Sequence, residues 1–412
     1  MVNRCGTVIV LGLDTPIGLA VVRDLGRHGY RVVGLGRTAT ALASSSRYCD
    51  HYCVRAVDED AVIAQLIELA AVHPGSCLLA ISESDLLMLN RNRDELESAL
   101  TLLVPPEDRL QLVLDKSKCQ EVADTVGIPS PPSCQIGDIA EVDRAVARTG
   151  FPVVLKWADP NQISSALNSA GLPLKKAEYA FNADQLRACL KRYVPVGRFP
   201  LIQRYCGGHG VGQMFLARDG EVLIEFQHER LHEWPPEGGT SVLCRSVPLS
   251  EYVEIREKSK ALLRALNWTG VAMVEYRYDP DAGSWAFMEI NGRFWGSLPL
   301  AIAASVPFAS GLVATIGQKE SVPAYVQPYP ELKCCYWIPF TKALIRTLFN
   351  PSAIRDPLFR IDRWRIVKDY VACFVNPRSK FFVFDVADPK PFVTDLMNVM
   401  RKLRGVVTGM TR

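Results

Sequence analysis

Glu275, Glu289, Asn291 and Arg293 are the residues of this chain whose types and spacing can do chemistry. Asn291 and Arg293 follow Glu289 at every second position, so on a strand the three share one face. Glu275 belongs to a preceding strand-like run. There Val271, Met273 and Glu275 point one way and Ala272, Val274 and Tyr276 the other. Pro280-Asp281-Ala282-Gly283-Ser284 has turn chemistry, and a five-residue loop there sets Glu275 directly opposite Glu289. Two carboxylates and an amide carbonyl converging on one face are the hard oxygen donors that Mg²⁺ takes, with positions left open for phosphate. An arginine beside them suits a phosphoryl oxygen or an anionic intermediate. The competing reading is a surface hairpin with a salt-bridge ladder, because Glu-x-Asn-x-Arg alone is a weak motif.

The elements that must position these residues fall into α/β and α+β patterns. Residues 6–13 read as a buried parallel strand, Asp14 to Gly18 as the turn into a helix over 19–28, and 29–35 as the next strand. A helix over 61–73 and a strand over Cys77–Ser82 follow, with Glu83, Ser84 and Asp85 opening a helix that runs to Leu100. The first hundred residues are thus expected to form a small doubly wound α/β domain. Gly12 and Gly18 match a dinucleotide fingerprint only in part, and Gly36-Arg37 stands where an acidic residue ends the second strand of that motif. An NAD(P)-dependent oxidoreductase, with Arg37 on a 2′-phosphate, is the alternative that this region raises.

Further along, a helix is expected over Glu107–Val126, stopped by Gly127-Ile128-Pro129, and another over 138–149. Phe151 to Trp157 reads as a short strand ending in Lys156, and 184–193 as a helix. Pro200 to Gly208 reads as a strand running into a glycine-rich turn. Strands over Gly212–Arg218 and Glu221–Gln227 are joined by Asp219-Gly220. Helices over 251–266 and 298–306 flank the acidic hairpin.

Composition narrows the class. Hydrophobic content of 48% and charged content of 22% over 412 residues suit a folded globular chain with one or two sizeable cores. A net charge of +3 is too small to point to nucleic acid. No run of 18 apolar residues predicts a membrane span, and the N-terminus leads straight into a strand with no secretion signal. A cytoplasmic setting is expected. The twelve cysteines include no Cys-x-x-Cys pair; neither Cys49 and Cys53 around His51 nor Cys334-Cys335 has a second half at zinc-like spacing, so reduced thiols are expected. Residues 331–412 differ from the rest: fifteen Lys/Arg against seven Asp/Glu give +8, leaving −5 for the remainder. That segment is also aromatic. It reads as a structural cap or as a platform for an anionic partner such as a membrane surface, a lipid-linked precursor or an acidic acceptor.

The ordered motifs resemble the ATP-grasp superfamily, in its carboxylate–amine ligase group (carbamoyl-phosphate-synthase-like and D-Ala-D-Ala-ligase-like). The order is a small α/β domain, Asp115-Lys116 on a helix before Gly127-Ile128-Pro129, then Val153-Val154-Leu155-Lys156 and Gln203-Arg204-Tyr205-Cys206. Phe226 to Leu231 and Trp234 to Gly239 follow, then Glu275 and Glu289-x-Asn291-x-Arg293. The resemblance covers about residues 5–325. It implies an ATP-grasp fold behind an N-terminal pre-ATP-grasp domain (1–105), with a small lobe and lid (106–200), a large lobe with the metal site (201–325) and a basic aromatic C-terminal extension (326–412). It implies that Lys116 and Lys156 contact ATP phosphates and that Gln203 to Cys206 form the inter-lobe hinge reading adenine. Glu275, Glu289 and Asn291 would hold Mg²⁺, with Mn²⁺ as the alternative ion. Arg293 would stabilise the transferring phosphoryl group, and Arg230 and Arg245 are candidates for a phosphate or the substrate carboxylate, or for ion pairs. The partners implied are a small-molecule carboxylate and an amine; a kinase that stops after phosphoryl transfer is the alternative within the fold. Two departures stand out. No glycine-rich loop follows Lys156, so a longer lid over about 157–180 is expected to close with its own side chains, Lys175 or Lys176. Gly207-Gly208-His209-Gly210 occupies the place of the usual ribose-binding acid, which leaves His209 or backbone for that role.

Overall fold

The computed structural model of the protein describes residues 6–157, 160–175, 177–354 and 356–409. The first sheet is parallel, with strands β1 (Thr7–Leu11), β2 (Arg31–Gly36), β3 (His51–Val54), β4 (Cys77–Ala80) and β5 (Thr101–Leu102) in the order β3-β2-β1-β4-β5. Val8 to Leu11 are fully buried, as a strand covered on both faces requires. At the end of β1 the chain turns into helix Pro16–Arg27, capped by Thr15. Gly18 is needed there, because a Cβ on it would lie 2.5 Å from the Gly12 carbonyl oxygen. The strand order reverses between β1 and β4, which opens a crevice at their carboxyl ends. Glu83 starts the helix that leaves β4 on that side.

A second sheet has strands β6 (Ser133–Cys134), β7 (Val153–Lys156), β8 (Glu178–Ala180) and β9 (Leu201–Arg204) in the order β6-β9-β7-β8. Helices Val142–Thr149 and Ala183–Lys191 pack on it around Val153, Leu155, Leu186 and Ile202. The region before it differs from the single helix expected over Glu107–Val126. Two helices form, Glu107–Leu114 and Lys116–Thr125. Asp115 leaves helical geometry (φ −80°, ψ 101°) and its carboxylate accepts from Ser117 N at 3.0 Å and Lys118 N at 3.1 Å. An aspartate gains more as an N-cap than inside a helix, and the break places Lys116 on the first turn of the second helix.

The third sheet has seven strands: β10 (His209–Arg218), β11 (Glu221–Trp234), β12 (Thr240–Ser246), β13 (Gly270–Asp279), β14 (Ser284–Asn291), β15 (Lys333–Cys335) and β16 (Ser379–Phe381). Their order is β14-β13-β10-β11-β12-β15-β16. Period-two alternation assigns each residue a face. Met214, Leu216, Phe226 and Met273 face the N-terminal domain and the helices after Leu298. Val211, Phe215, Val274 and Tyr276 face helix Val253–Ala265 on the opposite side. β11 continues seven residues past the expected end at Gln227, and β12 was not anticipated at all. The last eighty residues add β15 and β16 to this sheet. They are also fastened to the first domain: Asp388 accepts from Arg23 Nε at 3.0 Å, Ser46 Oγ at 2.7 Å and Arg47 N at 2.9 Å. Among the described residues no helix is long and apolar enough to cross a membrane.

Candidate active site

The hairpin pairs Glu275 with Glu289 and Met273 with Asn291, so both carboxylates and the amide lie on one face of the large sheet. A bulge at Met288 sends Phe287 to the opposite face, against Tyr276. The loop is Pro280–Gly283, one residue shorter than expected, since Ser284 already belongs to β14. Arg293 departs from the expected pattern. β14 ends at Asn291, and the next residue, Gly292, passes so close to Trp268 that a Cβ would lie 2.6 Å from the ring. Arg293 therefore shares no strand face with Glu289. Its Nε donates to Glu83 Oε1 at 2.8 Å, beside the crevice of the first sheet.

Arg230 pairs opposite Gly210 in the strand register, on the same face as Glu275. Gly210 makes room for it: a Cβ there would lie 2.8 Å from Arg230 Cδ. The guanidinium donates to Glu275 Oε2 and lies 3.8 Å from Glu233. Arg277, also on this face, lies 3.9 Å from Glu233 and donates to the Gly207 carbonyl at 3.4 Å. Burial pushes the Glu275 carboxyl up; Arg230 opposes this, and Glu289 and Glu233 add to it. A cation set among these oxygens is therefore favoured over two bare carboxylates. Lys116 Nζ lies 3.4 Å from Glu289 Oε2. Burial pulls the Lys156 ammonium down, Lys116 pulls it further, and Glu289 opposes both. Strand β7 of the small sheet, helix Lys116–Thr125 and the hairpin of the large sheet thus bring Lys156, Lys116, Glu289 and Arg277 together between the two sheets.

The residues present fit a divalent ion. Glu275 and Glu289 offer hard carboxylate oxygens, and no hydrogen bond occupies the Asn291 side chain among the described residues. Three protein donors are fewer than a full cage, as an ion shared with phosphates requires.

Gln203 to Cys206 join the two sheets. Gln203 is paired on both sides, with Ser133 and Val154. The amides of Arg204 and Tyr205 donate to the Pro132 and Pro152 carbonyls at 2.8 Å and 2.9 Å. The Arg204 side chain lies outward, over Gly150, and Tyr205 Oη donates to Asp356 at 3.0 Å. What remains free for a base edge, among the described residues, is the Tyr205 carbonyl and the Cys206 amide. Burial pushes the Cys206 thiol up, with Lys156 and Arg277 opposing.

Two expected site residues lie elsewhere. Alternation along β10 and β12 puts His209 and Arg245 on the face opposite Glu275. Arg245 Nε donates to Glu229 Oε2 at 2.6 Å, so it is an ion-pair residue of that outer face. His209 stands 3.4 Å from Tyr252 Oη and 3.7 Å from Glu229, edge-on to Tyr278, on the side of the sheet away from Glu275. In the lid region, helix Pro160–Ser169 follows β7, and Lys175 Nζ is engaged by Glu178 at 2.7 Å. Lys176 lies outside the described residues. Sequence reasoning also missed Arg277, Glu233 and Glu83. Arg277 had a signal, two residues beyond Glu275 on one strand. Glu233 and Glu83 had none: Glu233 meets Arg230 of its own strand and Arg277 of β13 on a face set by the sheet's register, and Glu83 meets Arg293, 210 residues along the chain.

A family model for the carbamoyl-phosphate synthase L chain ATP-binding domain matches residues 244–314. The vancomycin C-type resistance protein VanC1 of Enterococcus gallinarum is 26% identical over 192 residues, covering 44% of this chain and 52% of that protein. Biotin carboxylase 1 of Bacillus subtilis is 24% identical over 281 residues, covering 63% and 58%. The chain spans little more than half the length of these two relatives, and of others it matches as little as 9%. Among solved structures, N5-carboxyaminoimidazole synthetase from Staphylococcus aureus, complexed with ADP, aligns with a TM-score of 0.59 at 14% identity, covering 80% of this chain and 82% of that one. The biotin carboxylase–β,γ-ATP complex from Campylobacter jejuni gives 0.60 at 15% identity, covering 77% and 72%. L-amino acid ligase from Bacillus licheniformis gives 0.56 at 13%, covering 77% and 75%.

Proposed function

From the premise that the chain belongs to the ATP-grasp superfamily, we propose that it is an ATP- and Mg²⁺-dependent ligase. It activates a small-molecule carboxylate as an acyl phosphate and passes the acyl group to an amine, releasing ADP and phosphate. The observation that carries this reading is the register of the hairpin. Glu275, Glu289 and Asn291 share one face at the mouth of a cleft that also receives Lys116 and Lys156.

Glu275, Glu289 and Asn291 would hold the ion, with Mn²⁺ as the alternative, and it would supply charge neutralisation at the phosphates. Lys116 and Lys156 bind phosphate oxygens as point charges. Lys156 gains most, because an anion restores the charge that burial disfavours. The Tyr205 carbonyl and Cys206 amide present an acceptor and a donor to adenine. Arg293, held by Glu83 at the crevice, stabilises the phosphoryl group in transfer. Arg230 is a positioning residue: engaged by Glu275 and Glu233, it aims Glu275 rather than binding substrate. Segment 157–180 closes over the cleft and keeps water from the acyl phosphate. Residues 1–105 and 201–325 would supply the two walls of the substrate crevice, with 106–200 as the moving lobe. A cytoplasmic setting belongs to the same proposal. Contact of residues 326–412 with an anionic partner is separate from this chemistry.

Glu289→Gln is expected to cut ATP turnover by at least about a hundredfold while leaving the melting curve in place. Wild-type ADP release by that variant, with the acceptor present, overturns the metal assignment. Hydroxylamine added with ATP and the acid substrate is expected to trap a hydroxamate; phosphoryl transfer without one identifies a kinase instead. Mg²⁺-ATP should raise the melting temperature by mass action and NADPH should not.

A further inference from the structure

Helix Trp337–Phe349 buries Phe340, Ala343 and Thr347, and helix Arg363–Val375 buries Ile366 and Cys373. Phe340, Ala343, Ile366 and Cys373 share one core with Leu243 and Cys335 of the large sheet. The two helices touch each other and so lie side by side on one face of that sheet. Opposite the buried seams, a 3.6-residue period places Ile338, Lys342, Ile345 and Phe349 on the first helix and Trp364, Lys368, Val371 and Val375 on the second. The spacing is the same in both, with a lysine at the same place, and both stripes point away from the sheet. Trp364 is 85% exposed and Phe349 80%; Ile345, Val371 and Val375 are also exposed. A helix that is apolar on its outer side as well as its inner one calls for a partner there.

Beside Trp364 opens a cavity of about 660 Å³ lined by four basic side chains, Arg245, Lys333, Arg365 and Lys368, and by the carboxylates of Asp362 and Asp369. Glu229 engages Arg245, and Asp369 is shared among His232 at 2.9 Å, Lys333 at 3.3 Å and Arg365 at 4.0 Å. Among the described residues Lys342 and Lys368 have no ion-pair partner.

We propose that this outer face is a docking surface for an anionic lipid bilayer. The apolar stripes enter the headgroup layer, Lys342 and Lys368 meet lipid phosphates, and the basic cavity admits a headgroup. Charge complementarity selects this occupant, since residues 331–412 carry +8 while the rest of the chain carries −5. A second copy of the chain, paired about a twofold axis, would set like charges against each other. A peptide helix needs a groove, whereas these apolar side chains stand out from the surface. Aromatic and basic side chains interleaved along one helix face are what an interfacial helix uses.

The test is flotation of the full chain with phosphatidylcholine vesicles and with vesicles containing phosphatidylserine. Binding is expected to the anionic vesicles, and to weaken as salt rises. Lys342→Ala/Lys368→Ala should weaken it about thirtyfold, since each lysine near an anionic surface contributes about 1 kcal/mol. Phe349→Ala/Trp364→Ala should weaken it at every salt concentration. Both variants change exposed positions and should keep the wild-type melting temperature and ATP turnover, which separates this proposal from the ligase reading. Equal binding to neutral vesicles, no binding to anionic ones at low salt, or undiminished binding by both variants overturns it. So does a concentration-dependent dimer that Phe349→Ala/Trp364→Ala abolishes, which assigns the face to a second copy.

Discussion

Asp388→Ala tests what fastens the C-terminal segment to the first domain. Asp388 is 1% exposed and accepts three hydrogen bonds, one from the buried Arg23 guanidinium. Without the carboxylate, Arg23 keeps only the carbonyls of Val383 and residue 388, each at 2.9 Å. Breaking one side of a buried ion pair costs about 3–5 kcal/mol, because the remaining charge is left uncompensated. Unfolding entropy of roughly 2.1 cal/mol/K per residue, taken over the whole chain, converts this to a fall in melting temperature of about 3–6 °C. Differential scanning fluorimetry reads it. Arg23→Met should cost less, since Asp388 keeps Ser46 and the Arg47 amide as donors. In the Arg23→Met/Asp388→Ala double variant the losses should be smaller than the sum of the two singles, because no buried charge is then stranded. Strict additivity, or an Asp388→Ala variant that melts with wild type, refutes the reasoning.

Gly208 has φ +77°, and a Cβ on it would lie 1.9 Å from the Tyr278 carbonyl oxygen. Gly208→Ala should therefore displace the hinge and weaken Mg²⁺-ATP binding by more than about tenfold; unchanged affinity in a calorimetric titration counts against the hinge assignment. Burial alone pushes the Glu229 carboxyl up, but bonds from His209, Arg245 and Tyr252 hold it down at about 2. Its folded-state value is thus depressed, so its stabilisation is complete above the ordinary carboxyl range and fades as pH falls from about 4.5 to about 2. Glu229→Gln should melt below wild type at neutral pH and converge with it in acid; parallel pH profiles refute this. Burial raises the Cys206 thiol, so its alkylation at neutral pH should be slow, and Mg²⁺-ATP should slow it further. Peptide mass spectrometry checks this, and ATP-independent labelling counts against adenine at that position.

The hairpin was legible because its chemistry obeys a period of two on one local element. Glu275, Glu289 and Asn291 needed only alternation and a turn to be placed together. Lys156 was legible as the end of an apolar run. Arg293 was not, since β14 ends at Asn291, two residues short of it, and alternation alone does not show where a strand stops. His209 and Arg245 have the right residue types near the right motifs, but which side of a sheet they face depends on the register of β10 against β11 and β13, and of β12 against β11. β12 itself carries Arg245 and two serines amid its apolar residues, and only its neighbours on both edges identify it as a central strand. The break at Asp115 could have been read from the preference of aspartate for caps.

The strand ladder from Arg230 through Cys244 to Cys334 has a practical corollary. Cutting the chain before β15 would not prune an appendage. It would bare the backbone of Thr240–Ser246 along a raw sheet margin, a template for clumping. A shortened protein that precipitates would then say nothing about its natural companions, and the arginine steadying Glu275 would lose the scaffolding two strands behind it.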